Sequence, residues 1–152
     1  MLGRPLMIAL LSLMLSTGAG KDIVLTDANI DRLLDAIWYV ESGCRNGPIK
    51  GDGGNALGPM QIWRAFWQDA VEFSGQGGKY EDVADIKYAK KTVKNYWTRY
   101  CTARRVGREP TIWHAAVMVN GGPNAHKASG KKKANLVKYW DKVWARYQAL
   151  GG

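Results

Sequence analysis

Glu41 and Asp52 stand eleven residues apart in the stretch VESGCRNGPIKGD, residues 40 to 52. Cleavage of a glycosidic bond normally uses such a pair of carboxyl groups, one protonated and one ionised, on opposite sides of the sugar. Glu41 falls four residues after Ile37 and eight after Leu33, so it continues an apolar helical stripe and ends it in a carboxyl group. A negative charge in the last turn of a helix is opposed by the macrodipole, and partial burial opposes it further. Both effects raise its pKa toward what a general acid needs near neutral pH. The alternative is a frayed helix end with Glu41 turned to solvent. Asp52 lies in GDGG, and Asp-Gly between extended residues is itself a hairpin-turn signal that needs no catalytic role.

The elements that must position this pair follow from the pattern of the chain. TDANIDRLLDAIWYVESG opens on Thr26 or Asp27 as N-cap, places Ile30, Leu33, Leu34, Ile37 and Trp38 at helical spacing, and stops at Gly43. From Gly43 to Gly58 six glycines and a proline break helices, which predicts short strands with GDGG as their turn. MQIWRAFWQDAV reads as a strand end running into a short helix, and FSGQGGKY as a loop. IKYAKKTVKNYWTRYC repeats apolar residues at Ile86, Ala89, Val93, Tyr96, Trp97 and Tyr100, a helix with a lysine-rich outer face. A further helix runs from about Thr111 to Val119 and stops at NGGP; the last, ANLVKYWDKVWARYQAL, buries Leu136, Tyr139 or Trp140, Val143, Trp144 and Tyr147. The fold class is therefore α+β and mainly α, a helical body beside a small β-hairpin, without internal repeats or a long linker.

Residues 1–20 are excluded from that fold. They carry one positive charge at Arg4, an apolar run from Leu6 to Leu15 and small residues around Ala19, the anatomy of a secretory signal peptide. The run is too short to span a bilayer, so stable membrane insertion is not expected once the leader is gone. The mature chain then begins near Gly20 or Lys21, forms one domain over 21–152, and is secreted or periplasmic. Its 22 Lys and Arg against 13 Asp and Glu give +9, which favours an anionic polymer or surface as partner. Nucleic acid, acidic phospholipid and bacterial cell wall all qualify, and nucleic acid, with charge in its favour but no motif, ranks last. Cys44 and Cys101 match no zinc spacing, and in an oxidising compartment one disulfide is the simplest account, with two free thiols as the alternative. Such a bridge stabilises by roughly 3 to 4 kcal/mol. No metal or organic cofactor is implied.

ESGCRN, the step from Glu41 to Asp52, GPMQIWRAFWQD, VKNYWTRY, and NGGPN followed by KYWDKV resemble the invertebrate-type lysozymes in the same order, over roughly Ala36 to Tyr147. The resemblance implies a lysozyme-like fold and hydrolysis of the β-1,4 bond between N-acetylmuramic acid and N-acetylglucosamine in peptidoglycan glycan strands, by a monomer. It places the catalytic glutamate and aspartate on Glu41 and Asp52, as general acid/base and as nucleophile or stabiliser. It also implies that Gln61, Asn120 and Gly121 line the sugar cleft, where amide and backbone groups can bond acetamido and hydroxyl groups. Each has a plain alternative: Gln61 as a strand-end polar residue, NGGP as an ordinary helix stop. Trp63, Trp67, Tyr96 and Trp97 can stack on sugar rings, although most of the seven tryptophans belong to the core.

Departures from the family are informative. Its members are usually rich in disulfides, and this chain keeps only Cys44 and Cys101. Some carry an isopeptidase activity attributed to a serine and a histidine; the nearest positions here are Asn55 and Val119, so that activity is expected to be absent, and His114 and His126 are ordinary helix and loop residues. ES followed by GPMQI also resembles the lytic transglycosylases, which cut the same bond with one glutamate and form a 1,6-anhydro product, leaving Asp52 a turn residue. A non-catalytic wall-binding module is a further alternative, with Lys131, Lys132 and Lys133 as its contact or simply as a solvated helix start.

Overall fold

The computed structural model describes residues 18–151. The leader assigned to residues 1–20 lies outside the described residues up to position 17. Six helices and three short strands follow in the order α1 (Asp27–Ser42), β1 (Lys50–Gly51), β2 (Ala56–Leu57), β3 (Ile62–Trp63), α2 (Arg64–Ser74), α3 (Ile86–Tyr100), α4 (Ala103–Val106), α5 (Ile112–Gly121) and α6 (Gly130–Leu150). Among the described residues no helix is long and apolar enough to cross a membrane.

Helix α1 begins where Asn29 Oδ1 accepts the Thr26 backbone N–H at 2.9 Å, which satisfies a donor that the helix itself leaves free. Its stripe delivers Leu33, Leu34 and Ile37 into the interior with no exposed surface. Each contributes about 1.5–3 kcal/mol by leaving water. Helix α5 is apolar on almost every side: Ile112, Ala115, Ala116, Val117 and Met118 are all buried, so it occupies the centre, touching α1, α3 and α6. Helix α6 packs along α1 and closes the core with Tyr139, Trp140, Val143 and Tyr147. Helix α2 packs along α3, and Met60 and Ile62 join the sheet to the same core. Two surface ion pairs, Lys94 with Asp31 at 2.7 Å and Lys90 with Asp35, link α3 to α1. Exposed pairs of this kind add little to stability.

The hairpin is a three-stranded antiparallel sheet in the order β1-β2-β3, with Lys50 opposite Leu57 and Ala56 opposite Trp63. Its first turn, over Asp52–Asn55, is left-handed, with Asp52, Gly53 and Gly54 all at positive φ, and is closed by the Asn55 N–H on the Asp52 carbonyl at 3.2 Å. Strands of two residues cannot hold a sheet by their own ladder, so side chains and loops brace it. Tyr80 donates its hydroxyl to the Ile62 carbonyl at 2.6 Å, and the Gly58 N–H reaches the Ile49 carbonyl at 2.7 Å.

Helix α6 starts at Gly130, earlier than the apolar pattern from Ala134 shows, and Lys131, Lys132 and Lys133 are the solvated helix start, exposed in its first turn. Lysine is a good helix former, and apolar periodicity is blind to it. The four-residue helix α4 is too short to show a period at all. Most consequential, Cys44 and Cys101 are not bonded: Cys44 is exposed just beyond α1, whereas Cys101 is buried at the end of α3. Burial pushes the Cys101 thiol up to about 12, so it behaves as a small apolar core group. His114 is a buried helix residue whose Nδ1 accepts the Thr111 backbone N–H at 3.1 Å, and burial lowers its pKa to about 4.

Gly58 has φ +82°, and a Cβ there would overlap the Val83 carbonyl group. Gly53 has φ +64° with open space around it. Gly58→Ala should therefore cost about 2–4 kcal/mol, from strain and overlap together, and Gly53→Ala only about 1–2 kcal/mol. Equal shifts in urea midpoint for the two variants would refute the close packing of the sheet on Val83.

Candidate active site

Glu41 is the penultimate residue of α1, and the chain fixes that helix end with several bonds. Gly43, at φ +67°, turns left-handed and returns its N–H to the Tyr39 carbonyl at 2.8 Å. Trp38 Nε1 donates to the Arg45 carbonyl at 2.7 Å, and Arg45 Nε donates back to the Ser42 carbonyl at 3.0 Å. The carboxyl group is thereby held against α6 instead of fraying into solvent. Burial raises its pKa to about 7; the negative charge of Asp52 raises it too, and the buried Tyr139 hydroxyl opposes both. Tyr139 Oη lies near the carboxyl without meeting full hydrogen-bond geometry in this arrangement. The apolar stripe that ends in an acid has become a carboxyl group poised to be half protonated near neutrality.

Asp52 opens the left-handed turn that follows β1 and is exposed. Its Oδ2 accepts Trp63 Nε1 at 3.3 Å, which ties the carboxylate across the sheet to the end of β3. Its backbone is left-handed, at φ +49°, as is that of Gln61 at φ +49° and Cys44 at φ +60°. These are the non-glycine residues of positive φ among those described, and all three border the helix end or the sheet. Aspartate tolerates this region better than most residues.

Beside the sheet lies a cavity of about 270 Å³, walled by Gln61, Ile62 and Trp63 on one side and by Val119, Asn120, Gly122 and Pro123 on the other. Phe66, Asp69 and Tyr96 also line it, with the Phe66 and Tyr96 rings stacked 3.7 Å apart. Glu41 and Asp52 do not line this cavity. Trp63 connects it to the pair, because one side chain both lines the wall and holds Asp52.

The structure brings Gln61, Asn120 and Tyr96 to that cavity, but the three differ in what they have free to offer. Gln61 Nε2 is spent on the carbonyls of Ile49 at 3.1 Å and Gly58 at 2.9 Å, so its amide is a brace for the sheet. A Cβ at Gly51 would overlap that side chain. Asn120 is exposed and has a free amide, and Tyr96 is buried. Gly121 packs instead toward Ala125 and Leu136, where a side chain would meet atoms at 2.9 and 3.0 Å. Of the four aromatic candidates, Trp63 is 49% exposed, whereas Trp97 is buried and donates to the Ala115 carbonyl. Trp67 is packed against the core and bonds Tyr88. Reading the sequence did not single out Tyr139 or Asp69 for the site. Tyr139 is one apolar-face residue among several on α6, and nothing local marks it as the neighbour of Glu41. Among the described residues no cluster of His, Cys, Asp and Glu could hold a metal ion.

Two substitutions should move the Glu41 titration in opposite directions. Asp52→Asn removes a nearby negative charge and lowers the pKa from about 7. Tyr139→Phe removes the group that favours the ionised form and raises it. Carbon-13 NMR of the Glu41 carboxyl reads both, and a shift of the same sign in the two variants would contradict this account of the site.

The chain is 34% identical to the lysozyme of Meretrix lusoria over 114 residues, 74% of this chain and 85% of that protein. Similar solved structures are the Meretrix lusoria lysozyme in complex with Aeromonas hydrophila PliI, at 31% identity, and the inhibitor-bound lysozyme of Meretrix lusoria, at 32%. A third is the lysozyme of Tapes japonica, at 27%. All three give a TM-score of 0.60 over 74% of this chain and 85% of the other. No protein-family profile matches the chain. Identity over most of both chains, the order of the helices and the small sheet, and an acid at the helix end facing that sheet agree: this chain belongs to the invertebrate-type lysozyme family.

Proposed function

We propose that the protein hydrolyses the β-1,4 bond between N-acetylmuramic acid and N-acetylglucosamine in peptidoglycan, with Glu41 as general acid and then general base and Asp52 as nucleophile or ionised stabiliser. Membership of the lysozyme family supports a peptidoglycan-cleaving glycoside hydrolase. The observation that carries the residue assignment is the half-buried carboxyl of Glu41, whose pKa burial raises to about 7, with the charge of the exposed Asp52 acting in the same sense. Glu41 in its acid form gives its proton to the leaving glycosidic oxygen. Asp52, turned toward water and steadied by Trp63, meets the positive charge that develops at the anomeric carbon. Ionised Glu41 then takes a proton from the water that completes hydrolysis. The cavity between Trp63 and Asn120 offers an exposed indole for stacking and a free amide for an acetamido group, so it suits a sugar on the approach to the bond. We take the protein to act as an exported monomer after loss of the leader in residues 1–20.

Mass spectrometry of fragments released from purified peptidoglycan tests this reading. Fragments ending in reducing N-acetylmuramic acid are expected, with release falling about 10²- to 10⁴-fold in Glu41→Gln. Fragments lighter by one water would mean a lytic transglycosylase and return Asp52 to the turn. No Glu41-dependent fragments would leave a wall-binding module. The rate should also decline as pH rises through about 7, where Glu41 loses its proton.

The same carboxyl bears on stability. Its folded pKa, about 7, lies above the ordinary 4.5, so the unfolded chain gives up this proton more readily. The stability tied to the protonated group is full below about pH 4.5 and is lost as pH rises through about 7. Glu41→Gln should thus unfold later than the wild type at pH 8, by on the order of 2–3 kcal/mol, and show little difference at pH 4. A stability gap that does not change with pH would refute the buried carboxyl.

A further inference from the structure

The cavity wall formed by Asn120, Gly122 and Pro123 runs on into Asn124, whose Oδ1 accepts a hydrogen bond from Arg105 Nη1 at 2.9 Å. The Arg105 guanidinium lies over the Tyr100 ring, Cζ 4.9 Å from its centroid, and Arg99 lies over the same ring at 5.0 Å. The two cations are not equivalent. Arg99 donates to the Asp69 carbonyl at 2.8 Å and faces the carboxylates of Asp69 and Glu72 at 3.8 and 3.9 Å, so its charge is answered within the protein. Among the described residues Arg105 has no carboxylate within ion-pair distance, and its exposed chain neighbour Arg104 carries charge of the same sign. The positive charge of Arg105 reaches Tyr96, which lines the cavity, where it opposes the larger influence of the Asp69 carboxylate.

A guanidinium fixed by one hydrogen bond and one aromatic face, with donors to spare and no internal anion, is arranged to receive an external one. The sugar rings of a glycan strand carry no charge. N-acetylmuramic acid does, through a lactyl ether whose carboxyl group is either free or joined to a peptide that bears carboxylates of its own. We propose that Arg105 recognises a carboxylate carried by a muramic acid residue seated along the Asn120–Pro123 wall. It thereby acts as a specificity residue that favours charged wall strands over neutral polymers of N-acetylglucosamine. The inference rests on the glycosidase reading above and names the substituent that the cleft selects.

The test compares kcat/KM of wild type, Arg105→Ala and Arg105→Lys on three substrates: peptide-bearing strands, strands stripped of peptide by an amidase, and uncharged β-1,4 N-acetylglucosamine oligomers. The charged-to-neutral ratio should fall about tenfold in Arg105→Ala and less in Arg105→Lys, which keeps the charge but loses the planar fork. The difference should shrink in high salt. Loss on peptide-bearing strands alone assigns the carboxylate to the peptide, loss on stripped strands alone assigns it to the freed lactyl group, and loss on both charged substrates means that Arg105 accepts either. Equal loss on all three substrates would make Arg105 a brace for Asn124 and overturn the proposal, as would no loss on any. Wild-type protein that cleaves none of the three would overturn the glycosidase reading and this inference together, whereas intact cleavage with an unchanged ratio overturns this inference alone.

Discussion

The carboxyl of Glu41 is half-buried by the packing of α1 on α6, and much of the surrounding structure can be understood as what that placement requires. A helix end is the least rigid part of a helix and the least favourable place for a negative charge. To hold an acid there, the chain stops α1 with a left-handed glycine and locks the following turn with Trp38, Ser42 and Arg45. It then sets the large side chain of Tyr139 against the acid from the facing helix. The outcome is a group whose neutral form the fold prefers, a preference that serves proton donation and works against stability at alkaline pH.

A second constraint follows from the first. An acid anchored in the helical body needs its partner on a separate element, and here that element is a sheet whose strands are two residues long. So small a sheet is held by local backbone strain and by side chains. Asp52 and Gln61 occupy left-handed backbone, Gln61 ties two carbonyls together, and Gly51 and Gly58 let other groups approach too closely for any Cβ. Asp52 therefore serves the sheet and the proposed chemistry at once: its backbone forms the turn while its side chain is directed by Trp63.

This double service explains what was legible in the sequence. Periodicity located the long helices and put Glu41 on the buried face of α1, because both depend on spacing within a single element. The turn at Asp52 was equally plain from GDGG. What could not be read was anything that depends on two distant elements meeting. Tyr139 beside Glu41 joins residues 98 positions apart in the chain, and the role of Gln61 as a brace depends on the carbonyls of Ile49 and Gly58 facing it. Indole exposure was hidden for the same reason: Trp63 and Trp97 look alike in sequence, yet one lines a cavity and the other is sealed under α5.

The cysteines show how composition can mislead where burial decides. Two cysteines in a chain with an apparent leader suggest a bridge, but one thiol lies in the core and the other on the surface. Cys101 faces the core among apolar side chains, where its thiol stays protonated, while Cys44 sits on the exposed turn that holds Glu41 in place. Without a cross-link, cohesion falls to the core: α5 enclosed on all sides and α6 contributing Tyr139, Trp140, Val143 and Tyr147. Trp140, Trp144 and Tyr147 stack in series along α6. The helix that faces the proposed acid is thus also one that packs four aromatic side chains on the core, so the rigidity that holds Glu41 half-buried and the stability of the fold arise from the same packing.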